Sequence, residues 1–212
     1  MQETKFILSI RDLDVSFRTT AGSVHALRGV DLSLRKGETV AVVGESGSGK
    51  SVTMKAVMGI LDRNSAVNSG EILFTYDEQG QKKTVDILKM NRRQIRRTIN
   101  GQRIAMVFQD PMTSLDPTMT IGAQIAEAVR VNRGLTGGAA RKRAAEVLSY
   151  VGIPRAVERL DDYPHQFSGG MRQRVMIAMA ISCEPKLLIA DEPTTALDVT
   201  IQAQIVELVK RL

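Results

Sequence analysis

At 212 residues the chain is long enough for one ordinary domain, or for one core with a small appended lobe. With 43% hydrophobic and 25% charged residues its composition is globular, which excludes a disordered chain, and no apolar run reaches the ~18 residues of a membrane span. A single cysteine, Cys183, excludes an internal disulfide and a multi-cysteine zinc site, while a net charge of +6 marks a nucleic-acid surface, an anionic-lipid surface or only the basic helices of a nucleotide-binding protein. Only 4% of residues are aromatic, too few for a base-stacking surface, so nucleic acid is disfavoured. Met1-Gln2-Glu3-Thr4-Lys5 leads into a strand pattern and has none of the marks of a signal peptide, so a reducing, cytosolic setting is expected.

Residues 6–17 alternate loosely between apolar and polar, and 24–34 contain Asp31-Leu32-Ser33-Leu34; both read as strands, joined by a polar turn at 19–23. Lys36-Gly37-Glu38 turns the chain into Thr39-Val40-Ala41-Val42-Val43, an apolar run expected to be a buried strand. Residues 52–61 have the apolar spacing of a helix. After Ser69-Gly70, Glu71-Ile72-Leu73-Phe74-Thr75 reads as a strand, followed by a polar excursion over 77–83. A basic helix covers 91–98, where Ile95 and Ile99 at helical spacing make Arg92, Arg93, Arg96 and Arg97 a solvated face. Residues 103–108 form a short buried strand ending at Gln109. Between 110 and 163 the pattern is helical only, over 121–131 and 139–151, broken by Gly134, Gly137-Gly138 and Pro154. A helix over 168–183 follows, and Cys183 lies in its apolar run as a packing residue. Glu184-Pro185 ends it, Lys186-Leu187-Leu188-Ile189-Ala190 is an apolar strand, and 199–212 is a last amphipathic helix.

The stretch Gly44-Glu45-Ser46-Gly47-Ser48-Gly49-Lys50-Ser51 has the form G-x-x-x-x-G-K-S, between an expected strand and an expected helix. A triphosphate needs several donors converging on a small volume. The three glycines let the backbone curl so that its N–H groups point inward, and the helix dipole adds partial positive charge. Lys50 is assigned to the β- and γ-phosphates of ATP and Ser51 to Mg²⁺. Hydrolysis also needs a metal-holding acid and a group that orients water. The strand over 187–190 runs into Asp191-Glu192, at the carboxyl end of a strand where ligands of parallel sheets sit. Asp191 suits the metal, and Glu192 is the carboxylate placed to polarise water.

Four ordered motifs resemble those of the ATP-binding-cassette ATPases, and the resemblance covers essentially the whole chain. Phe167-Ser168-Gly169-Gly170-Met171-Arg172-Gln173-Arg174 is similar to that family's signature. Asp191-Glu192-Pro193-Thr194 with Ala196-Leu197-Asp198 resembles its second Walker motif and D-loop, and Gln109 stands where its Q-loop glutamine does. Phe108-Gln109-Asp110-Pro111-Met112-Thr113-Ser114-Leu115 and Tyr163-Pro164-His165-Gln166 are similar to the subfamily that imports peptides, nickel and related solutes. Met171 stands where many relatives have glutamine, a change common in that subfamily.

The resemblance implies an α/β P-loop NTPase fold with a mostly parallel core sheet, an antiparallel β portion and an inserted helical lobe. On this reading 1–109 hold the phosphate-loop core with the antiparallel portion, 110–167 the helical lobe, and 168–212 the signature helix and second Walker strand. It implies head-to-tail pairs in which Ser168, Gly169 and Gly170 meet the γ-phosphate of the opposite site, a role suited to a helix opening with N–H groups and a hydroxyl. Phe17 matches the adenine-stacking position, with a core phenylalanine as the rival reading. Gln109 would couple Mg²⁺ to a transmembrane subunit through the lobe, and His165 is either a helix-entry or an interface residue. The implied partners are a second ABC ATPase subunit, identical or homologous, two transmembrane permease subunits and, indirectly, a solute-binding protein, at the cytoplasmic face of the membrane and without nucleic acid.

Two soluble classes share such a cassette. Those of DNA maintenance interrupt it with coiled coils or zinc modules, for which 58 residues between Gln109 and Ser168 and one cysteine leave no room. Those of translation carry two cassettes per chain, and one is present here. The family's switch histidine lies on a strand after the D-loop helix, whereas His25 and His165 both precede Asp191. The expectation is therefore a C-terminally incomplete cassette that binds nucleotide but is nearly inactive as an ATPase alone, with apolar surface left uncovered near Val206, Leu208 and Val209.

Overall fold

The computed structural model describes residues 6–109, 114–193 and 199–210, in two compact units, Met1–Arg96 and Arg97–Leu212. The first is built on β1 (Phe6–Thr19), which pairs antiparallel with β2 (Gly22–Arg35) on one side and β3 (Ser65–Glu78) on the other; β3 then pairs with β4 (Gln81–Asp86). The strand order is β2-β1-β3-β4.

The loose alternation of β1 has a structural cause. Leu8 and Ile10 are buried, and so are Leu13 and Val15, so the inward phase changes from even to odd positions between them. A bulge makes the change: the register shifts against both neighbours near residues 10–14, and Asp12 takes a left-handed φ of 46°. Asp12 is held there by its N–H donating to Asp31 Oδ1 at 2.9 Å and by the Ser69 hydroxyl donating to its carbonyl at 3.2 Å. Opposite the bulge, Gly70 has φ +105°, and a Cβ on it would lie 2.7 Å from the Asp12 carbonyl oxygen and from Leu13 Cα. Both obstacles are backbone and cannot step aside. Gly70→Ala is therefore expected to destabilise the chain by about 3 kcal/mol, read as a lower denaturation midpoint at unchanged slope.

The polar excursion after residue 76 is a second hairpin. Gln79 and Gly80 both have positive φ, the geometry of a two-residue turn matched to strand twist, and Glu78 faces Gln81 across it. β4 is polar because it is a sheet edge, where lysines discourage further pairing. The expected buried strand Thr39-Val40-Ala41-Val42-Val43 is not found. The segment joins no sheet, and Val40, Val42 and Val43 are 43%, 44% and 88% exposed. An apolar run states a preference for burial, but ladder hydrogen bonds come only from neighbouring strands, and the sheet of this unit runs elsewhere. Helix α1 (Lys50–Met58) follows, ending at Gly59, and α2 (Arg92–Thr98) carries the arginines.

In the second unit β5 (Ile104–Val107) and β6 (Leu187–Ala190) pair parallel, with Ile104 opposite Leu187 and Val107 opposite Ala190. Apart from an isolated parallel bridge between Asn100 and Ile104, parallel pairing among the described residues is confined to these two strands. All four residues of β5 are buried. Helices α3 (Ile121–Arg133), α4 (Gly137–Tyr150), α5 (Gly169–Ile181) and α6 (Val199–Lys210) share one apolar core with them, including Val107, Ile121, Ile125, Leu148, Val175 and Ile205. Leu208 is buried in that core and Val209 packs against it, so of the three apolar positions singled out near the last helix Val206 is the exposed one.

Polar bonds fix the ends of these helices. Thr120 caps α3, its hydroxyl accepting from Ala123 N–H. Buried Gln124 donates to the carbonyls of Asp116 and Met119 and accepts from Asp116 N–H, tying down the loop before α3. At the far end of α5, Glu184 receives Arg133 from α3 at 2.9 Å and Arg143 from α4 at 3.1 Å, which holds its carboxyl below the usual carboxylate range. The Arg143 Nε also donates to the Ser182 carbonyl. Cys183 is buried in the same region, a packing residue as expected.

Candidate nucleotide site

The phosphate loop opens on exposed backbone and closes on α1. Gly47 and Gly49 have φ of +80° and +95°, values that curl the chain and that side-chain-bearing residues rarely adopt. At Gly49 a Cβ would also strike Leu27 Cδ2 at 2.6 Å, so β2 packs directly against the turn. A Cβ on Gly44 would meet the Ser48 hydroxyl at 2.9 Å, and Ser48 N–H donates to the Glu45 carbonyl at 3.2 Å, which draws the loop into a tight ring. Glu45, Ser46, Gly47 and Ser48 are exposed, while Gly49 is buried as the N-cap of a nine-residue helix. The Lys50 ammonium donates to the carbonyls of Gly44 and Glu45 at 2.7 and 2.9 Å, which sets it at the mouth of the ring. Ser51 is half-buried in the first turn of α1. Buried Thr53, which motif reading passed over, donates its hydroxyl to the Gly49 carbonyl at 3.0 Å and locks loop to helix. A ring of exposed amides with an ammonium, a hydroxyl and a helix N-terminus fits a phosphate chain.

Phe17 is half-buried rather than part of the core, and faces Val24 across β1 and β2; Val24 is exposed. A half-buried apolar ring on a sheet is suited to stacking on a base.

In the second unit, Asp191 continues the β6 ladder, its N–H donating to the Val107 carbonyl at 3.0 Å. Asp191 is half-buried and Glu192 exposed. Glu192 takes a left-handed φ of 46°, a strained value for a residue with a side chain and one that collects at functional sites. The strands β5 and β6 end side by side, which brings Gln109 and Glu192 together across 83 positions of sequence: Gln109 Nε2 donates to Glu192 Oε2 at 2.8 Å. Asp191 and Gln109 are hard oxygen donors, as is the Ser51 hydroxyl, the chemistry Mg²⁺ selects.

Ser168 caps α5, its hydroxyl accepting from Met171 N–H at 3.4 Å, and Ser168 and Gly169 are exposed. Gly170 is half-buried; a Cβ there would lie 2.8 Å from Ile201 Cγ2, so α6 packs on the first turn of the signature helix. The exposed amides therefore open a 13-residue helix held from behind, as an anion-binding terminus requires. Arg172 and Arg174 donate to the carbonyls of Pro164 and Val151, so the signature's cations serve structure here. His165 is exposed and stacks on Tyr163. Thr194, the D-loop-like Ala196-Leu197-Asp198 and the Asp110-Pro111-Met112-Thr113 stretch lie outside the described residues.

A profile of the ABC transporter family matches residues 27–195. The chain is 55% identical to the dipeptide transport ATP-binding protein DppD of Bacillus subtilis (strain 168) over 207 residues, which cover 97% of this chain and 59% of that one. It is 49% identical to the glutathione import ATP-binding protein GsiA of Salmonella typhimurium, over 99% of this chain and 33% of that one. The chain thus spans well short of the full length of these curated relatives. Among solved structures, the dimeric post-hydrolysis state of the ATP-binding cassette MJ0796 bound to ADP and Pi superposes with a TM-score of 0.79 at 26% identity, over 97% of this chain and 82% of that one. The structure of cbiO1 from Clostridium perfringens, part of the ABC transporter complex cbiONQ, gives 0.75 at 31% identity, over 98% and 73%. Glycine ring, strand-end acids and capped signature helix thus occur on the P-loop NTPase fold of known cassettes, and the chain belongs to the ABC transporter family.

Proposed function

We propose that this chain is the ATP-binding and hydrolysing part of an importer for peptides or related solutes such as nickel or glutathione-like peptides. The observation that carries the reading is the 55% identity to a dipeptide transport ATP-binding protein across nearly the whole chain. The site geometry supports it. Gly44, Glu45, Ser46, Gly47, Ser48 and Gly49 supply the amides for the phosphates, Lys50 the counter-charge, and Phe17 the base platform. Ser51, Asp191 and Gln109 would hold Mg²⁺, which when bound neutralises phosphate charge. Glu192 accepts the proton of the attacking water. Ser168, Gly169 and Gly170 serve the nucleotide of a second cassette, α3 and α4 belong to a helical lobe that faces the permeases, and the whole sits at the cytoplasmic face of the membrane.

No helix among the described residues is long and apolar enough to cross a membrane. A tagged copy, purified from its own cells in mild detergent, is expected to bring down two polytopic permease subunits, with ATP turnover that rises when the loaded solute-binding protein is added. Recovery on ribosomes or on DNA, without permeases, would overturn the reading in favour of a soluble cassette.

A further inference from the structure

The net charge of this chain is not spread over it. Between residues 87 and 109 stand Lys89, Arg92, Arg93, Arg96, Arg97 and Arg103, and no Asp or Glu. Of the 29 lysines and arginines six lie here, which leaves 23 against the 23 acidic residues, so this one segment carries the whole net charge of +6.

The fold turns the charge outward. Ile95 and Ile99 are buried, whereas Arg92, Arg93, Arg96 and Arg97 are exposed. At 100° per residue those four positions span an arc of about 140°. Lys89 is paired with Asp86 and Arg103 is turned onto the Thr98 carbonyl, whereas the side chains of the four arginines of α2 have no ion pair or hydrogen bond among the described residues. Arg92 with Arg96, and Arg93 with Arg97, stand four apart, where like charges repel and weaken a helix. An anion laid against α2 removes that repulsion.

We infer that α2 is a docking face for an anionic lipid surface, with Arg92, Arg93, Arg96 and Arg97 meeting headgroup phosphates. The features of the patch select this partner. A protein partner needs an apolar anchor at the centre of its contact, and none of the exposed large apolar side chains lies in the stretch 92–98 that forms α2. A nucleic acid would be gripped by stacking as well as charge, and that stretch has no aromatic residue. What remains is a convex, purely cationic surface. Such a surface suits a plane of phosphates, and guanidinium groups bind phosphate oxygens in pairs. The contact is electrostatic and shallow, because α2 has no exposed apolar side chain to insert. The inference concerns attachment and is independent of whether the loop at 44–51 binds ATP.

The test is co-sedimentation of the chain with phosphatidylcholine vesicles containing phosphatidylglycerol, against vesicles of phosphatidylcholine alone. Binding is expected only to the anionic vesicles and should fade as salt rises. The variant Arg92→Gln, Arg93→Gln, Arg96→Gln, Arg97→Gln should bind about thirtyfold more weakly, the effect of the two charges that a flat surface meets at once. Its circular dichroism should be unchanged, since glutamine favours helix and the repulsion is gone. A matched variant with Lys36, Arg63, Arg130 and Lys142 changed to glutamine loses the same net charge from other exposed sites, and should bind like the parent. Equal losses in the two variants, or no preference for anionic vesicles, would overturn the assignment. So would α2-dependent binding to an acidic peptide or an oligonucleotide at salt where vesicles are ignored.

Discussion

Lys50→Ala is expected to weaken MgATP binding roughly a hundredfold, through the loss of about 3 kcal/mol of charge-assisted hydrogen bonding to the phosphates. The structure separates this effect from folding. Among the described residues the Lys50 ammonium bonds to the Gly44 and Glu45 carbonyls, which are exposed and regain water when the ammonium is removed. The turn itself is held by other bonds, chiefly Thr53 to Gly49 and Ser48 to Glu45, which the substitution leaves in place. The ligand-free melting temperature should therefore be that of the parent, while the rise in melting temperature on adding MgATP should disappear. Lys50→Arg should also bind poorly, because a planar fork replaces a compact charge in a ring closed around it. Calorimetric titration giving the parent's affinity for Lys50→Ala would remove the loop from the nucleotide site.

What the sequence shows, and what it hides, follows from the range of the forces involved. The phosphate loop is legible because every requirement is local: glycines for φ of +80° and +95°, a lysine, and a helix start. The helices over 121–131 and 139–151 are legible through their apolar spacing and come out as Ile121–Arg133 and Gly137–Tyr150. The bulge at Asp12 is not, because it is defined by two neighbouring strands and disguises the alternation of β1. β4 escapes for the opposite reason: an edge strand with lysines looks like a loop when read alone. The run at 39–43 shows the converse error, since four apolar residues in five carry the preference of a buried strand but not the partner it needs. Gln124 gives no signal at all; its burial makes sense only once the loop carbonyls it serves are known. Charge was visible from composition, but its concentration in residues 87–109 became meaningful only when Ile95 and Ile99 proved buried and the four arginines of α2 exposed.

The meeting of Gln109 and Glu192 supplies the sharpest test of the chemistry. Glu192→Gln is expected to lower ATP turnover by about two to three orders of magnitude, the usual contribution of a positioned general base, while MgATP affinity stays at the parent value. The substitution is nearly silent in the resting structure. Gln109 Nε2 donates to an oxygen of residue 192, and an amide oxygen accepts that bond as a carboxylate oxygen does. The side chain is exposed and keeps its size, and the backbone at φ 46° is no harder for glutamine than for glutamate. What is removed is the ability to take a proton. If Glu192 polarises the attacking water, nucleotide still binds and closure of paired cassettes still occurs, but the reaction stops there. ATP-bound dimers should then accumulate and be visible by size-exclusion chromatography in the presence of MgATP. The measurement that matters is single-turnover phosphate release, with binding followed separately by titration. A parallel fall in affinity and rate would make Glu192 a binding group, and unchanged release would transfer proton acceptance to another residue.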